Sequence, residues 1–432
     1  MAGESQARTG QDEAPVKSNP QGPIILIGTL DTKGEEFLYL KERLTAAGAD
    51  PLVVDVGVMG APLFAPDVTR EQIAGWAGTS LQQLVRDKDR GSAVAAMARG
   101  VAAWARDQQT NNPPAGILAI GGSAGTTIAS AGMRQFAVGL PKVMVSTVAS
   151  GDTRPYIGTS DICMMYSVAD FTGLNRLTRI ILDNAAKAIL GMSGLTLTGQ
   201  EAGGSQRPLL AATMFGVTTP CVNAARKLLE RKGFELLVFH ATGSGGQAME
   251  QLVGDGFIEG VLDITTTELA DELVGGVFSA GPHRMEVAGR MGVPQAISVG
   301  ALDMVNFGPR DSVPEKFRAR CLYEHNPTVT LMRTTSEENA QLGRIIARKA
   351  SAAKGPVTII LPLRGVSAID APGQPFYDPD ADSALFDAIH DGVDAGVKVV
   401  DVDAHINDPV FAERLVAEFT QVVGGRRDGI HT

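Results

Sequence analysis

Short apolar runs alternate along this chain with stretches in which apolar side chains recur every three or four residues. Ile24–Ile27, Leu52–Val56, Ile117–Ile120, Lys142–Ser146 and Ile162–Met165 read as strands. Glu35–Ala47, Ser92–Arg106 and Thr126–Val138 read as helices between them. Strands that alternate with amphipathic helices predict βαβ units on a parallel sheet. From Gly191 to Pro208 the chain becomes small, polar and glycine-rich, as a linker does. A second series then begins, with strands at Leu209–Thr213, Glu235–Phe239, Gly260–Ile264, Gln295–Val299, Val357–Leu361 and Val397–Val402. The predicted fold class is α/β, with two doubly wound, mainly parallel, Rossmann-like subdomains. The predicted organisation is a tail (1–22), an N-terminal nucleotide-binding domain (23–193), a linker (194–208), a C-terminal domain (209–425) and a second tail (426–432). The two halves echo each other: strand, turn, helix and strand recur, and Thr242–Gly246 has the small-residue character of Gly121–Thr127. An old duplication and the rhythm common to doubly wound domains explain this equally well.

Composition narrows the class. A chain of 432 residues is too long for one ordinary core. Its 50 glycines and 5% aromatic content suit an α/β protein with many tight turns. The net charge of −10 argues against a nucleic-acid surface, which needs a concentrated basic face. The three cysteines, Cys163, Cys221 and Cys321, lie far apart, so a structural zinc site is not expected and a reducing cytoplasm is. The polar opening has no secretory h-region. No run of about 18 apolar residues marks a membrane span.

The chemistry concentrates in two loops that follow apolar strands: Gly28-Thr29-Leu30-Asp31-Thr32-Lys33-Gly34-Glu35-Glu36 and Gly121-Gly122-Ser123-Ala124-Gly125-Thr126-Thr127. A strand, a small-residue turn and a helix start make an anion site, because free N–H groups and the helix dipole both favour negative charge. In the first loop Lys33 can neutralise a phosphate, Thr29 and Thr32 can donate to its oxygens, and Asp31 can hold Mg²⁺. The competing reading is a helix cap, with Asp31 or Thr32 ahead of Glu35 and Glu36. In the second loop Gly121, Gly122 and Gly125 allow close backbone approach, and Ser123, Thr126 and Thr127 add hydroxyls; a Ser/Thr cap on a tight turn competes. The same loop formally reads GxSxG, the pattern of a nucleophile elbow at Ser123, without an assignable acid and histidine. A third segment, Thr147–Asp161, adds Asp152 for ribose or metal, Arg154 for a phosphate or carboxylate and Tyr156 for a base.

The second half carries His283, Arg284 and Glu286 after a glycine-rich stretch, Glu268 after a strand, Asp303 and Asn306, and His405 near the C-terminal end. Arg284 beside His283 suits an anionic substrate, and Glu268 or Glu286 a general base. A satisfied loop histidine and a surface glutamate are the plain alternatives.

Together, the GTLDTKGE opening, the Gly121–Thr126 turn and Ala241–Gly246 resemble the signature segments of an uncharacterised bacterial and plant family that includes the ATP-binding N-terminal domain of the tomato mosaic virus resistance protein. The resemblance runs from about Pro23 to about Gly425. It implies ATP bound mainly by the first of two α/β subdomains, contacts from Thr29, Asp31, Thr32, Lys33 and Gly121–Thr126, and a homodimer. It does not carry antiviral activity over, because the plant protein has a further segment beyond this domain.

The resulting expectation is an ATP-dependent small-molecule enzyme, with Mg-ATP in the N-terminal domain, Asp31 or Asp152 holding the metal, and Lys33 and Arg154 stabilising phosphate charge. A second, anionic small molecule would sit in a cleft between the domains, against His283, Arg284 and Glu286. The alternatives are a non-catalytic ATP-responsive module and an organic-acid hydrolase or lyase. A nicotinamide dehydrogenase is disfavoured for lack of GxGxxG, although Asp55 lies where a ribose-binding acid would sit.

Overall fold

The computed structural model of the protein describes residues 22–171, 173–194 and 207–428. The expected N-terminal tail to residue 21 and most of the expected linker, 195–206, lie outside the described residues. The chain divides into two compact units, with the boundary between residues 202 and 203. No described helix is long and apolar enough to cross a membrane.

The first unit runs β1 (Ile24–Gly28), α1 (Gly34–Ala46), β2 (Pro51–Asp55), α2 (Arg70–Trp76), α3 (Leu81–Asp87), α4 (Arg90–Asn111), β3 (Gly116–Gly121), α5 (Ser123–Met133), β4 (Lys142–Ser146), α6 (Arg154–Ile157), β5 (Cys163–Tyr166) and α7 (Arg176–Gly194). Its five strands form one parallel sheet in the order β2-β1-β3-β4-β5. Successive side chains of a strand face opposite sides of the sheet. Ile25 and Ile27 therefore pack with Ala96, Met97 and Val101 of α4 and with Ile128 of α5. Ile24 and Leu26 pack with Phe37 and Leu40 of α1 and with Leu182 and Ile189 of α7. Helices on both faces explain why β1, β3 and β4 are buried throughout and read as unbroken apolar runs.

The second unit runs β6 (Leu209–Met214), α8 (Thr219–Arg231), β7 (Glu235–His240), α9 (Ser244–Gly254), β8 (Gly260–Thr265), α10 (Thr267–Val274), α11 (Val287–Met291), β9 (Gln295–Gly300), β10 (Met304–Phe307), β11 (Leu322–Asn326), β12 (Val329–Arg333), α12 (Ser336–Ser351), β13 (Val357–Pro362), α13 (Pro379–Gly392), β14 (Lys398–Val402) and α14 (Pro409–Asp428). Six strands make a parallel sheet in the order β14-β13-β9-β8-β6-β7. The α/β, Rossmann-like class holds for both units. Both sheets are wound alike, with the first strand of each lying between the second and the third. That order corrects the expected counterpart of Gly121–Thr127: Thr242–Gly246 follows β7, the second strand of its sheet, whereas Gly121 ends β3, the third of its own. The sequence pattern also missed a small antiparallel sheet, β10-β12-β11, inserted between β9 and α12. Most of β11 is exposed, and its Glu324, His325 and Asn326 carry no apolar alternation.

Two junctions of the first sheet place the site. Gly28 ends β1 directly beneath the ring of Phe37: a Cβ there would fall 1.8 Å from Phe37 Cζ. At the end of β3 only Gly122 separates the strand from α5, so the helix starts three residues earlier than its apolar period suggests. Gly28→Ala is expected to displace Phe37 and cost about 1–3 kcal/mol, the usual penalty for overpacking a filled core. Denaturant unfolding of the variant checks this.

Candidate functional site

In a doubly wound sheet, ligands bind at the carboxyl ends of the strands where the winding reverses. In the first unit that point lies between β1 and β3, the strands that carry the two loops marked by the sequence. A cavity of about 990 Å³ opens there, lined by Thr29, Asp31, Thr32 and Lys33 from the first loop and by Gly122, Ser123 and Gly125 from the second. An apolar stretch of its wall comes from Val56 and Met59 beyond β2, Leu84 and Val85 of α3, and Val94 and Met97 of α4. The size is at the upper end of the usual range for small-molecule sites.

The expected helix caps are not made. Lys33 takes the N-cap position of α1 and Gly122 that of α5, and no side chain caps either helix. Thr32 hydrogen-bonds Thr29 between hydroxyls at 2.8 Å. Helix α5 therefore begins at the cavity wall, where its first N–H groups and dipole favour an anion. The Lys33 ammonium donates to the Phe171 carbonyl at 2.9 Å and lies 5.6 Å from that ring's centre. It has no carboxylate partner among the described residues. Nor do Lys88 and Arg90, which line the cavity from the α3–α4 junction and which sequence reasoning did not single out. Lys33, Lys88 and Arg90 thus line the cavity without an ion pair among the described residues. The cavity carboxylates are Asp31, Asp89 and Asp170. Asp89 caps α4 by accepting from Gly91 N at 2.9 Å. Asp170 makes no hydrogen bond or ion pair among the described residues.

Several expected contacts are corrected by this geometry. Thr126 is buried and bonds the Ser146 hydroxyl at 2.7 Å, so it braces the sheet edge instead of facing a ligand. Gly121 lies beneath the cavity wall: a Cβ on it would come within 2.9 Å of the Gly125 backbone. Asp152 and Arg154 do not line the cavity. They form an exposed bidentate pair with each other, at 2.9 and 2.8 Å, with the arginine side chain 86% exposed. That guanidinium holds the Asp152 carboxyl at about 2. Tyr156 is likewise absent from the cavity lining. Asp31 does not fit a direct magnesium ligand. Its Oδ2 accepts from Met59 N at 2.7 Å and Gly60 N at 3.1 Å, and its Oδ1 is buried against Gly57. Asp55 is fully buried and holds Leu30 N and Gly57 N, so it is no ribose acceptor. Ser123 has no histidine within its unit, since every histidine of the chain lies beyond residue 203. Among the described residues no group of three or more His, Cys, Asp or Glu could hold a metal ion.

The second unit overturns the expected role of Arg284. Its side chain is 1% exposed, and it donates to Asp263 at 2.5 and 2.6 Å and to Glu268 at 2.7 Å, with Glu250 at 3.5 Å. Glu268 in turn accepts from Gly243 N and Gly246 N, so the cluster ties the Thr242–Gly246 turn to β8 and α10. Glu268 is consequently no open general base. His283 is exposed, with Nδ1 2.9 Å from Glu286. Glu286 also receives the Lys349 ammonium at 2.6 Å, a bond that holds its carboxyl below the usual range and weakens it as a base. His405 spends both ring nitrogens on backbone, bonding Ser367 O and Asn407 N.

Comparison with known proteins fits this picture of two linked units. The uncharacterised protein family UPF0261 matches through its N-terminal domain at residues 22–197 and its C-terminal domain at 207–423. The chain belongs to the UPF0261 family. A UPF0261 protein of Clostridium tetani is 51% identical over 390 residues, covering 90% of this chain and 96% of that one. The ToMV resistance protein Tm-1(GCR237) of Solanum lycopersicum is 45% identical over 339 residues, 77% of this chain but 45% of the tomato protein. A solved UDP-N-acetylglucosamine 2-epimerase from Rickettsia bellii overlaps 64% of this chain and 79% of its own at 9% identity and a TM-score of 0.22, too distant to speak to chemistry.

The UPF0261 C-terminal domain holds a second buried charge cluster, which the sequence hinted at only through Asp303. Arg333, at the end of β12, donates to Asp382 at 2.8 Å and lies 3.7 Å from Asp370. Asp303 accepts from the Ser367 hydroxyl at 2.7 Å, while its Oδ1 and that of Asp370 receive no hydrogen bond. One cation thus faces three buried carboxylates. Burial and then the charge of Asp370 push Asp303 up to about 7 and Asp382 up to about 8. The folded domain keeps protons that the unfolded chain releases near pH 3.8. Their stabilisation is complete below that point and is lost as pH rises through 7 to 8. Asp382→Asn, which cannot ionise, should flatten the alkaline part of the profile. Guanidinium unfolding midpoints at about pH 6 and about pH 9 should differ less in the variant than in the wild type.

Proposed function

We propose that this UPF0261 protein binds ATP in the cavity of its N-terminal unit, with the triphosphate against the start of α5 and Lys33 and the base along the aliphatic wall of α3 and α4. The observation that carries this reading is the union, in one cavity at the winding reversal, of an uncapped helix start, cations that make no ion pair among the described residues and an extended apolar wall. A phosphate gains from the first two, and a base from the third. In this reading Mg²⁺ held by the phosphates offsets their charge, with Asp170 of the cavity lining as its carboxylate.

Coupled to a second, anionic substrate, this site makes the protein an ATP-dependent small-molecule enzyme, with Lys33 stabilising phosphate charge. One observation favours a non-catalytic ATP-responsive module instead: Arg154 and Arg284, the arginines expected to meet the phosphate or a second anion, are both spent on carboxylates of their own units. Phosphate release in the presence of a panel of organic acids separates the two forms.

Calorimetric titration with ATP, with and without Mg²⁺, tests the binding itself. Lys33→Ala should lower affinity about ten- to a hundredfold, the loss expected for one charge-assisted hydrogen bond. Arg154→Ala, outside the cavity, should leave it unchanged. Absence of ATP binding by the folded wild type, or equal affinity in Lys33→Ala, rejects the assignment.

A further inference from the structure

Two loops from adjacent strands border the cavity, and each is held by an acid of the other. Asp55, at the end of β2, accepts from Leu30 N at 3.1 Å in the β1 loop and from Gly57 N at 2.9 Å. Asp31, in the β1 loop, accepts from Met59 N at 2.7 Å and Gly60 N at 3.1 Å in the segment that follows β2. Leu63 N adds a bond to Leu30 O at 3.1 Å, and the Arg70 guanidinium donates to the Gly60 carbonyl. The approach is so close that a Cβ on Gly57 would lie 2.5 Å from Asp31 Oδ1. Residues 57–60 therefore have a fixed backbone without belonging to a helix or strand.

What this fixed segment presents is a methionine. Met59 lines the cavity and is 80% exposed. Val85 of α3 lines the same cavity and is 50% exposed. Apolar side chains held open at the wall of a cavity gain free energy only when something apolar covers them. A phosphate does not, whereas the flat face of a purine does, and the polarisable thioether of methionine suits an aromatic ring. The same bonds explain why Asp31 stands in the phosphate-loop motif without being free to bind a ligand.

We infer that Met59 and Val85 form the subsite for the purine face of the nucleotide, and that Asp31 is the positioning residue that holds Met59 in place. The inference rests on the nucleotide reading of this cavity. A metal-binding Asp31 and a positioning Asp31 make different predictions, because only the first ties its effect to Mg²⁺.

The test is calorimetric titration of the full chain with ATP and with inorganic tripolyphosphate, each with and without Mg²⁺. The wild type should bind ATP more tightly than tripolyphosphate. Met59→Ala should lose about five- to tenfold in ATP affinity, as expected for removing one partly buried apolar contact, with tripolyphosphate binding unchanged. Asp31→Asn should lose affinity for ATP in the same direction, equally with and without Mg²⁺, and Lys33→Ala should weaken both ligands. Met59 is exposed, so Met59→Ala keeps its fold and carries the test even if Asp31→Asn does not. Unchanged ATP affinity in Met59→Ala, or an Asp31→Asn defect seen only with Mg²⁺, overturns the inference and leaves the ATP site standing. Equal wild-type affinity for ATP and tripolyphosphate also overturns it. A folded wild type that binds neither ligand rejects the ATP site and the inference together.

Discussion

How closely a helix start can approach the end of a strand sets the geometry of the whole N-terminal site. At β3 the link to α5 is a single residue, and the turn closes because Gly121 lets the Gly125 backbone pass where a Cβ would come within 2.9 Å. At β1 the same intimacy is reached through Gly28 and the Phe37 ring. Both helices consequently begin at the edge of the sheet, and α5 aims its unpaired N–H groups at the cavity. The buried Thr126–Ser146 hydroxyl bond locks that start against β4. A longer turn at β3 would carry the dipole away from the strand ends and leave only scattered cations.

The parallel strands were legible to within about a residue because burial on both faces leaves the central ones, such as β1, β8 and β13, as compact apolar runs. The start of α5 was not, because Ser123, Ala124 and Gly125 carry no apolar periodicity. The antiparallel insertion was illegible for the same reason in β11, whose side chains mostly face outward. At the site, the two loops were readable as motifs since each is continuous in sequence. Lys88, Arg90 and Asp170 were not, because they reach the cavity from the α3–α4 junction and from beyond β5, and only the winding of the sheet brings them to one place.

Charged residues were the hardest to read, since a side chain looks the same in sequence whether it is free or spent. The pairing of Asp152 with Arg154 had a local sign, as the two lie two residues apart. Arg284 had none: Asp263, Glu268 and Glu250 lie 21, 16 and 34 residues away and meet it only in the folded unit. Asp31 and Asp55 show a third case, in which a carboxylate beside a ligand loop is used to hold backbone N–H groups. Such acids shape a binding site without touching what it binds, and sequence position alone cannot separate the two roles.

The N-terminal cavity and the buried clusters of the C-terminal unit treat positive charge in opposite ways. In the C-terminal unit the buried arginines are over-matched, Arg284 by Asp263, Glu268 and Glu250 and Arg333 by Asp370, Asp382 and Asp303. Removing a charge from water is costly unless partners repay it, so these guanidiniums are fixed parts of the fold and closed to ligands. In the N-terminal unit Lys33, Lys88 and Arg90 line the cavity with no ion pair among the described residues. The carboxylates that line the same cavity, Asp31, Asp89 and Asp170, form no ion pair with them among the described residues. Cations left without an ion pair beside an uncapped helix start are available to a negative charge in a way that the buried arginines are not.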